Sequence, residues 1–377
     1  MVINAREINN FESRWRCRLH SRASPLDDTV MSSDHYCTYF DHRYAAQGLA
    51  MIRSLRAQGG DGPVWVLCLS AEAERLVSQW GLGDLRIVSL GAIESHFDHL
   101  ADARRDRSLI EYFFTLTPHI IRYVFDHAPE AGRVAYLDGD LFFFGPVSEM
   151  WGVASAAPAA IIPHRFNPRA EHLRKYGTYN VGWVSFSRSA QGLEGLDFWQ
   201  RSCRAWCRDR PDDGRFADQG YLDQFADFAP DLAIIDHKGC NLGPWNVASD
   251  EIHLENQRVI IGGDRLIFFH FTGFRKGLAG RWYNSHRLYR AGTTAIVRDH
   301  VYRPYLQALM DARATADAQM RQVDATSGEA ALARNRGGGV PLKARLYKRA
   351  QMTFQFLDWL TGKSLAEPAG TDRTMHA

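Results

Sequence analysis

No uninterrupted run of about 20 apolar residues occurs in the 377-residue chain, so no transmembrane helix is expected. The opening MVINAREINNFESRWRCRLHSR carries charge throughout and has no apolar centre, which is not the pattern of a secretory leader. Cysteine is sparse: the six, at positions 17, 37, 68, 203, 207 and 240, lack the dense spacing of a disulfide scaffold. Cys203 and Cys207 lie one helical turn apart, but no second pair matches them, so a zinc site is the weaker alternative to core packing in a reduced compartment. Charge of one sign is lacking too. Net charge is +2, which does not argue for wrapping nucleic acid.

What is present is the composition of an ordinary globular protein, 45% hydrophobic and 23% charged. From about Ser33, short apolar strands alternate with longer amphipathic segments. YCTYF (36–40), VWVLCLS (64–70) and LRIVSL (85–90) read as strands, with helices at 44–58 and after residue 70. That alternation predicts βαβ units and a mostly parallel sheet. SLIEYFFTLTPHIIRYVFDHA (108–128) reads as a long helix with a break near Pro118. The second half is more mixed. AAIIPHRF, YNVGWVSFSRS, LAIIDH, RVIIGG and LIFFHF read as strands, and GLDFWQRSCRAWCRDR as a strong helix.

The expected organisation is an N-terminal extension (1–32), one α/β domain (33–295), a helical extension (296–334) and a linker with a basic tail (335–377). In that tail, residues 341–363 set Lys343, Arg345, Lys348 and Arg349 ahead of Phe354, Phe356 and Trp359. Such a helix suits an anionic membrane surface; a helix packed on the domain is the equal alternative.

The chemistry-bearing run is VAYLDGDLFFFGP (134–146), where Asp138 and Asp140 interrupt a strongly apolar stretch. Buried carboxylates need a partner. In an extended strand, residues i and i+2 point to one side, so both acids are expected to converge at the carboxyl end of a parallel strand, where open α/β sheets bind ligands. Hard oxygen ligands of this kind suit Mg²⁺ or Mn²⁺ bridging to phosphate oxygens. A strand-end turn capped by Asp is the alternative.

YLDGD in this setting resembles the metal-binding Asp-x-Asp motif of GT-A fold glycosyltransferases. Three further blocks follow in that family's order. YNVGWVSFSRS (179–189) is similar to the Asn-x-Gly strand of glycogenin-like and lipooligosaccharide galactosyltransferase-like enzymes, FADQGYLDQF (216–225) to their Asp-Gln helix start, and HFTGFRK (270–276) to their His-x-x-Gly-x-x-Lys element. Over roughly residues 34–290 the chain also resembles bacterial nucleotide-sugar transferases, with counterparts to their TPHII, IIPHRF and GPWNV blocks.

The resemblance implies a GT-A fold, a mixed and mostly parallel sheet flanked by helices, and a reaction that moves a sugar from a nucleotide-diphosphate donor. It makes Asp138, Asp140 and His270 the ligands of Mn²⁺ or Mg²⁺, and Gly273 and Lys276 the residues at the diphosphate. Thr38, Tyr39, Asp41 and Tyr44 would meet the nucleotide, Asn180 and Asp218 the donor sugar, and Gln219 would lie near the anomeric carbon. Asp218 is also a candidate helix N-cap. The acceptor would be a glycan, glycolipid or other hydroxyl compound in surface-polysaccharide assembly. The implied location is the cytoplasm, or the inner-membrane surface if the tail binds there. Retention of configuration is implied; inversion would need a carboxylate base, either Asp218 or Asp223.

The sequence departs from the family pattern where Gly277 follows Lys276, and Val181 as the middle residue of the Asn-x-Gly element leaves the donor sugar open. Two rivals stand beside this reading. One is a non-catalytic nucleotide-sugar-binding module. The other is a haloacid-dehalogenase-type phosphatase, whose Asp-x-Asp loop is disfavoured by Phe142 and by its position more than 100 residues into the chain.

Overall fold

The computed structural model describes residues 33–228, 231–327 and 364–366. The N-terminal extension, the linker and the basic segment 341–363 lie outside the described residues.

Apolar strands with both faces covered make up the first half. β1 (Ser33–Phe40), helix α1 (Ala45–Ala57), β2 (Val64–Cys68), α2 (Ala71–Val77) and β3 (Leu85–Ser89) are two βαβ units. All five residues of β2, VWVLC, are buried, as expected of a parallel strand sandwiched between helices. Along β1 the side chains alternate: Tyr36 and Phe40 enter one core, Cys37 and Tyr39 the other. Helix α3 (Leu109–His127) opens on a capping box in which the Ser108 side chain meets the Glu111 amide and the Glu111 carboxylate meets the Ser108 amide. The helix is continuous through Pro118, so the expected break is absent: its buried, apolar face packs along the sheet on both sides of the proline and holds the helix together.

β4 (Ala131–Leu137), β5 (Leu141–Phe143), β6 (Ala159–Pro163) and β7 (Tyr179–Ser187) follow, then α4 (Ala190–Ala205), α5 (Leu222–Phe228) and β8 (Ala233–Ile234). The central sheet has the order β3-β2-β1-β4-β7-β6-β8. Only β7 runs antiparallel to its neighbours. This is the expected α/β class, with a mixed, mostly parallel sheet between helices. α3 and α4 cover one face, and α1 with the C-terminal helix α6 (Arg303–Ser327) covers the other.

The strands expected in the second half are shorter than their apolar runs. Of LAIIDH only Ala233–Ile234 pairs. A small antiparallel sheet holds β9 (Ile252–Glu255), β10 (Arg258–Ile261) and β11 (Asp264–Arg265), while β12 (Phe268–His270) pairs with β5. A hairpin joins β13 (Arg275–Lys276) and β14 (Trp282–Tyr283), and Leu365 bonds both ways with Trp282. The helical segment expected after residue 295 is present to Ser327, and its Tyr302 and Tyr305 are buried in the main core.

Candidate active site

Every residue of the site stands at one edge of the sheet. β1, β2, β4 and β6 all point their carboxyl ends there, and the antiparallel β7 begins there. β4 ends at Leu137, and the Asp138 amide makes the last ladder bond, to the Gly182 carbonyl at 3.1 Å. The chain then turns back through Gly139, with the Leu141 amide on the Asp138 carbonyl at 3.3 Å. The two acids therefore converge because of a turn between β4 and β5, not because of strand alternation. That corrects the expected geometry and keeps its result.

His270 arrives from β12, which pairs with β5 so that His270 stands opposite Leu141. Its amide donates to the Leu242 carbonyl at 2.8 Å, and the next amide, of Phe271, donates to the Asp140 carbonyl at 2.9 Å. The ring nitrogen Nε2 lies 3.1 Å from Asp140 Oδ1 and 3.6 Å from Asp138 Oδ2. One ligand atom from each of the three residues falls within 4.8 Å of the others. Two hard carboxylates and one imidazole in that space fit a divalent cation. Among the described residues this is the one group of its kind. Cys203 and Cys207 are buried thiols with no such set around them.

Two tyrosines steer the carboxylates. The Tyr136 hydroxyl donates to Asp138 Oδ1 at 2.9 Å and the Tyr44 hydroxyl to Asp140 Oδ2 at 3.1 Å. Burial raises the Tyr136 phenol well above its ordinary range, so it remains a donor. The acids are driven apart. Burial raises Asp138, with Asp140 adding to the rise. Asp140 is lowered overall, because the charge and hydrogen bond of His270 outweigh its burial. His270 is itself raised, burial being outweighed by Asp140 and Asp138.

A cleft of about 440 Å³ opens beside the triad. Tyr39, Asp41 and Tyr44 line it, together with Asp138, Asp140, His270 and Thr272. Its far wall is apolar: Leu69, Ile110, Phe113 and Phe114. Thr38 is fully buried and does not line the cleft. The Asp41 carboxylate faces the 3-10 turn His42–Tyr44, accepting from the Arg43 amide at 3.0 Å and the Arg43 guanidinium at 2.7 Å. Gly273 has φ +74°, and a Cβ there would stand 3.1 Å from that of Ser285; only glycine adopts this turn without strain. Lys276 is exposed on the hairpin beyond and is not a wall of the cleft.

Asn180 and Gln219 meet behind His270 rather than in the open cleft. Asn180 Nδ2 donates to Gln219 Oε1 at 3.2 Å, and Gln219 Nε2 donates to the Tyr176 carbonyl at 2.8 Å. Asp218 is buried, and burial pushes its carboxyl up to about 7 against the Thr117 hydroxyl. It stands at the N-cap position of the turn Gln219–Tyr221 without a side-chain cap bond. Asp223 accepts the Thr178 amide on both carboxylate oxygens, at 2.9 and 3.0 Å. That ties it to the start of β7.

No family model matches the chain. Over 248 residues it is 31% identical to YfnF of Bacillus subtilis (strain 168), an uncharacterized protein, in an alignment covering 64% of this chain and 81% of YfnF. The chain belongs to the YfnF family. A second protein of that organism, the uncharacterized YfnD, is 26% identical over 279 residues, covering 73% of this chain and 88% of YfnD. Among solved structures, the galactosyltransferase LgtC in complex with donor and acceptor sugar analogues aligns at 14% identity and a TM-score of 0.44, covering 75% of this chain and 95% of LgtC.

Several members of the site in this YfnF-family chain escape a sequence reading. His164, from IIPHRF, and Trp245, from GPWNV, pack around His270: the Trp245 ring stands 5.1 Å from that of His270 and 5.3 Å from that of His164, edge-on to both. Asn246 fastens the two blocks, donating to the His164 carbonyl at 2.8 Å. Their only signal is polar or aromatic residues inside apolar runs, which does not say what they face.

Proposed function

We propose that the chain is a metal-dependent GT-A glycosyltransferase that transfers a sugar from a nucleotide-diphosphate donor to a hydroxyl acceptor. The observation that carries the reading is the convergence of Asp138, Asp140 and His270 at the mouth of a cleft on the carboxyl edge of a mostly parallel sheet. The ordered motifs around those residues support it. Bound Mn²⁺ or Mg²⁺ would supply positive charge against a departing diphosphate.

Within this reading, Asp138 and Asp140 hold the ion in the orientation set by Tyr136 and Tyr44, and His270 adds the nitrogen ligand. Tyr39 and the apolar wall shelter the nucleotide from water, while Lys276 meets diphosphate charge from the hairpin that follows Gly273. Gln219 positions rather than attacks, because an amide is a poor nucleophile, and this favours retention of configuration. Asp223 is taken up by the amide of Thr178, which argues against its use as an inverting base. A glycan or glycolipid acceptor and a part in surface-polysaccharide assembly belong to the same proposal, as does peripheral membrane attachment through 341–363.

The test is release of nucleotide diphosphate from a panel of nucleotide sugars, with Mn²⁺ or Mg²⁺ and with chelator. Turnover should require the metal, and D138N and D140N should each lose at least about 100-fold. Undiminished turnover in the D138N/D140N double variant would sink the assignment.

A further inference from the structure

Asn180 occupies the centre of a hydrogen-bond network in which every proton can be placed from fixed groups. The Gly182 amide is an obligate donor and lies 3.0 Å from Asn180 Oδ1, so that atom is the oxygen. His270 Nδ1 faces the same oxygen at 3.2 Å and must therefore carry a proton. On the other side, the Tyr176 carbonyl is an obligate acceptor and fixes Gln219 Nε2 toward itself, which turns Gln219 Oε1 to Asn180. His164 Nδ1 faces the Thr178 carbonyl at 3.2 Å, so its Nε2 presents a lone pair to Asn180 Nδ2 at 3.3 Å. Burial holds His164 down to about 3, which keeps it neutral and able to accept.

Both positions on the Asn180 oxygen and both on its nitrogen are thus occupied inside the protein. A sugar hydroxyl could bind it only by displacing one of these partners. Gly182 completes the cradle, since a Cβ there would lie 2.6 Å from Asn180 Oδ1 and 2.8 Å from His270 Nδ1. The Asn-Val-Gly block is therefore shaped around His270.

We propose that Asn180 is a positioning residue for the metal site: its Oδ1 accepts from His270 Nδ1 and so holds the ring with Nε2 turned to Asp138 and Asp140. His164 and Gln219 hold the Asn180 amide the right way round, which links Gln219, the residue expected near the anomeric carbon, to His270 through one side chain. A bond to the far nitrogen commonly orients a metal-binding histidine, and its loss typically lowers metal affinity about 10–100-fold. The inference rests on the metal-site reading above.

Mn²⁺ titration of the full chain, followed by electron paramagnetic resonance, separates the two. N180L, which keeps the volume but offers no acceptor, should bind Mn²⁺ about 10–100-fold more weakly, and D140N should also lose affinity. Wild-type affinity in N180L alongside loss in D140N overturns the positioning role and leaves the metal site standing. Wild-type affinity in D140N overturns the metal site and this inference with it. Should N180L fail to fold, the wild-type chain decides. In chelator, the ¹⁵N-bound ring protons of the wild-type chain, assigned by comparison with H270Q, should include a His270 Nδ1 proton shielded from exchange with water by its bond to Asn180. Absence of a protected Nδ1 proton overturns the proposal.

Discussion

Asp218 lies at 4% exposure beside the hydroxyl of Thr117. Burial is the main reason its carboxyl is pushed up to about 7, and the charge of Asp138 adds to the rise. In the unfolded chain an aspartate titrates near 3.9, so between about pH 4 and 7 the folded state holds a proton that the unfolded state has lost. Stability must then fall as pH rises through that window, by up to a few kcal/mol for this group. D218N carries no such proton. The urea midpoint of D218N relative to wild type should therefore climb steadily from pH 4.5 to 7.5; parallel profiles would refute the assignment. At this scale the cluster of Asp138, Asp140 and His270 was legible, because Asp-x-Asp and His-x-x-Gly-x-x-Lys are local patterns. The company of Asn180 was not. Its partners His164, Gln219 and His270 are 16, 39 and 90 residues away, and pairings of that length leave no periodic trace. Thr38, which the resemblance sets at the nucleotide, lies fully buried; a motif match does not fix the depth at which a residue lies.

Among the elements, β7 carries Asn180 and the Gly182 cradle behind His270. Its register against β6 shifts between Ile161, opposite Val184, and Ile162, opposite Asn180, while its pairing with β4 continues through Leu137 and Trp183. The segment Val181–Trp183 thus bulges from one neighbour while staying bonded to the other, a device that re-aims side chains near functional sites. An extra methyl at Gly182 would press on Asn180 and His270 together. G182A should cost about 1–3 kcal/mol and weaken Mn²⁺ binding in the protein that remains folded. Thermal melting in chelator and Mn²⁺ titration read the two effects separately, and an unchanged affinity would show that the strand does not shape the metal site. The strands themselves were legible from apolar runs bounded by turns, whereas the turn that joins Asp138 to Asp140 was read only as the alternative to strand alternation. Local pattern shows where an apolar run lies and leaves the end of its pairing to the partner strand.

For the whole molecule, the consequence of two covered sheet faces is that the site is anchored from behind by the C-terminal helix. The Tyr305 ring stacks on Phe271 with centroids 3.7 Å apart and planes 19° from parallel, and Tyr302 packs edge-on to Phe269 and Phe271. Phe271 follows His270 directly, and its amide bonds the Asp140 carbonyl. Helix α6 therefore presses the strand that carries His270 onto the turn that carries Asp138 and Asp140. Removing the ring at 305 leaves a cavity under that junction, at a cost of about 3–5 kcal/mol for a buried aromatic. Removing only the hydroxyl keeps the stack. Urea unfolding should place Y305F close to wild type and Y305A several kcal/mol below, and Y305A should bind Mn²⁺ more weakly even where it is fully folded. If Y305A unfolds with Y305F and binds the ion as tightly, α6 is a cover on the domain and not a support of its site.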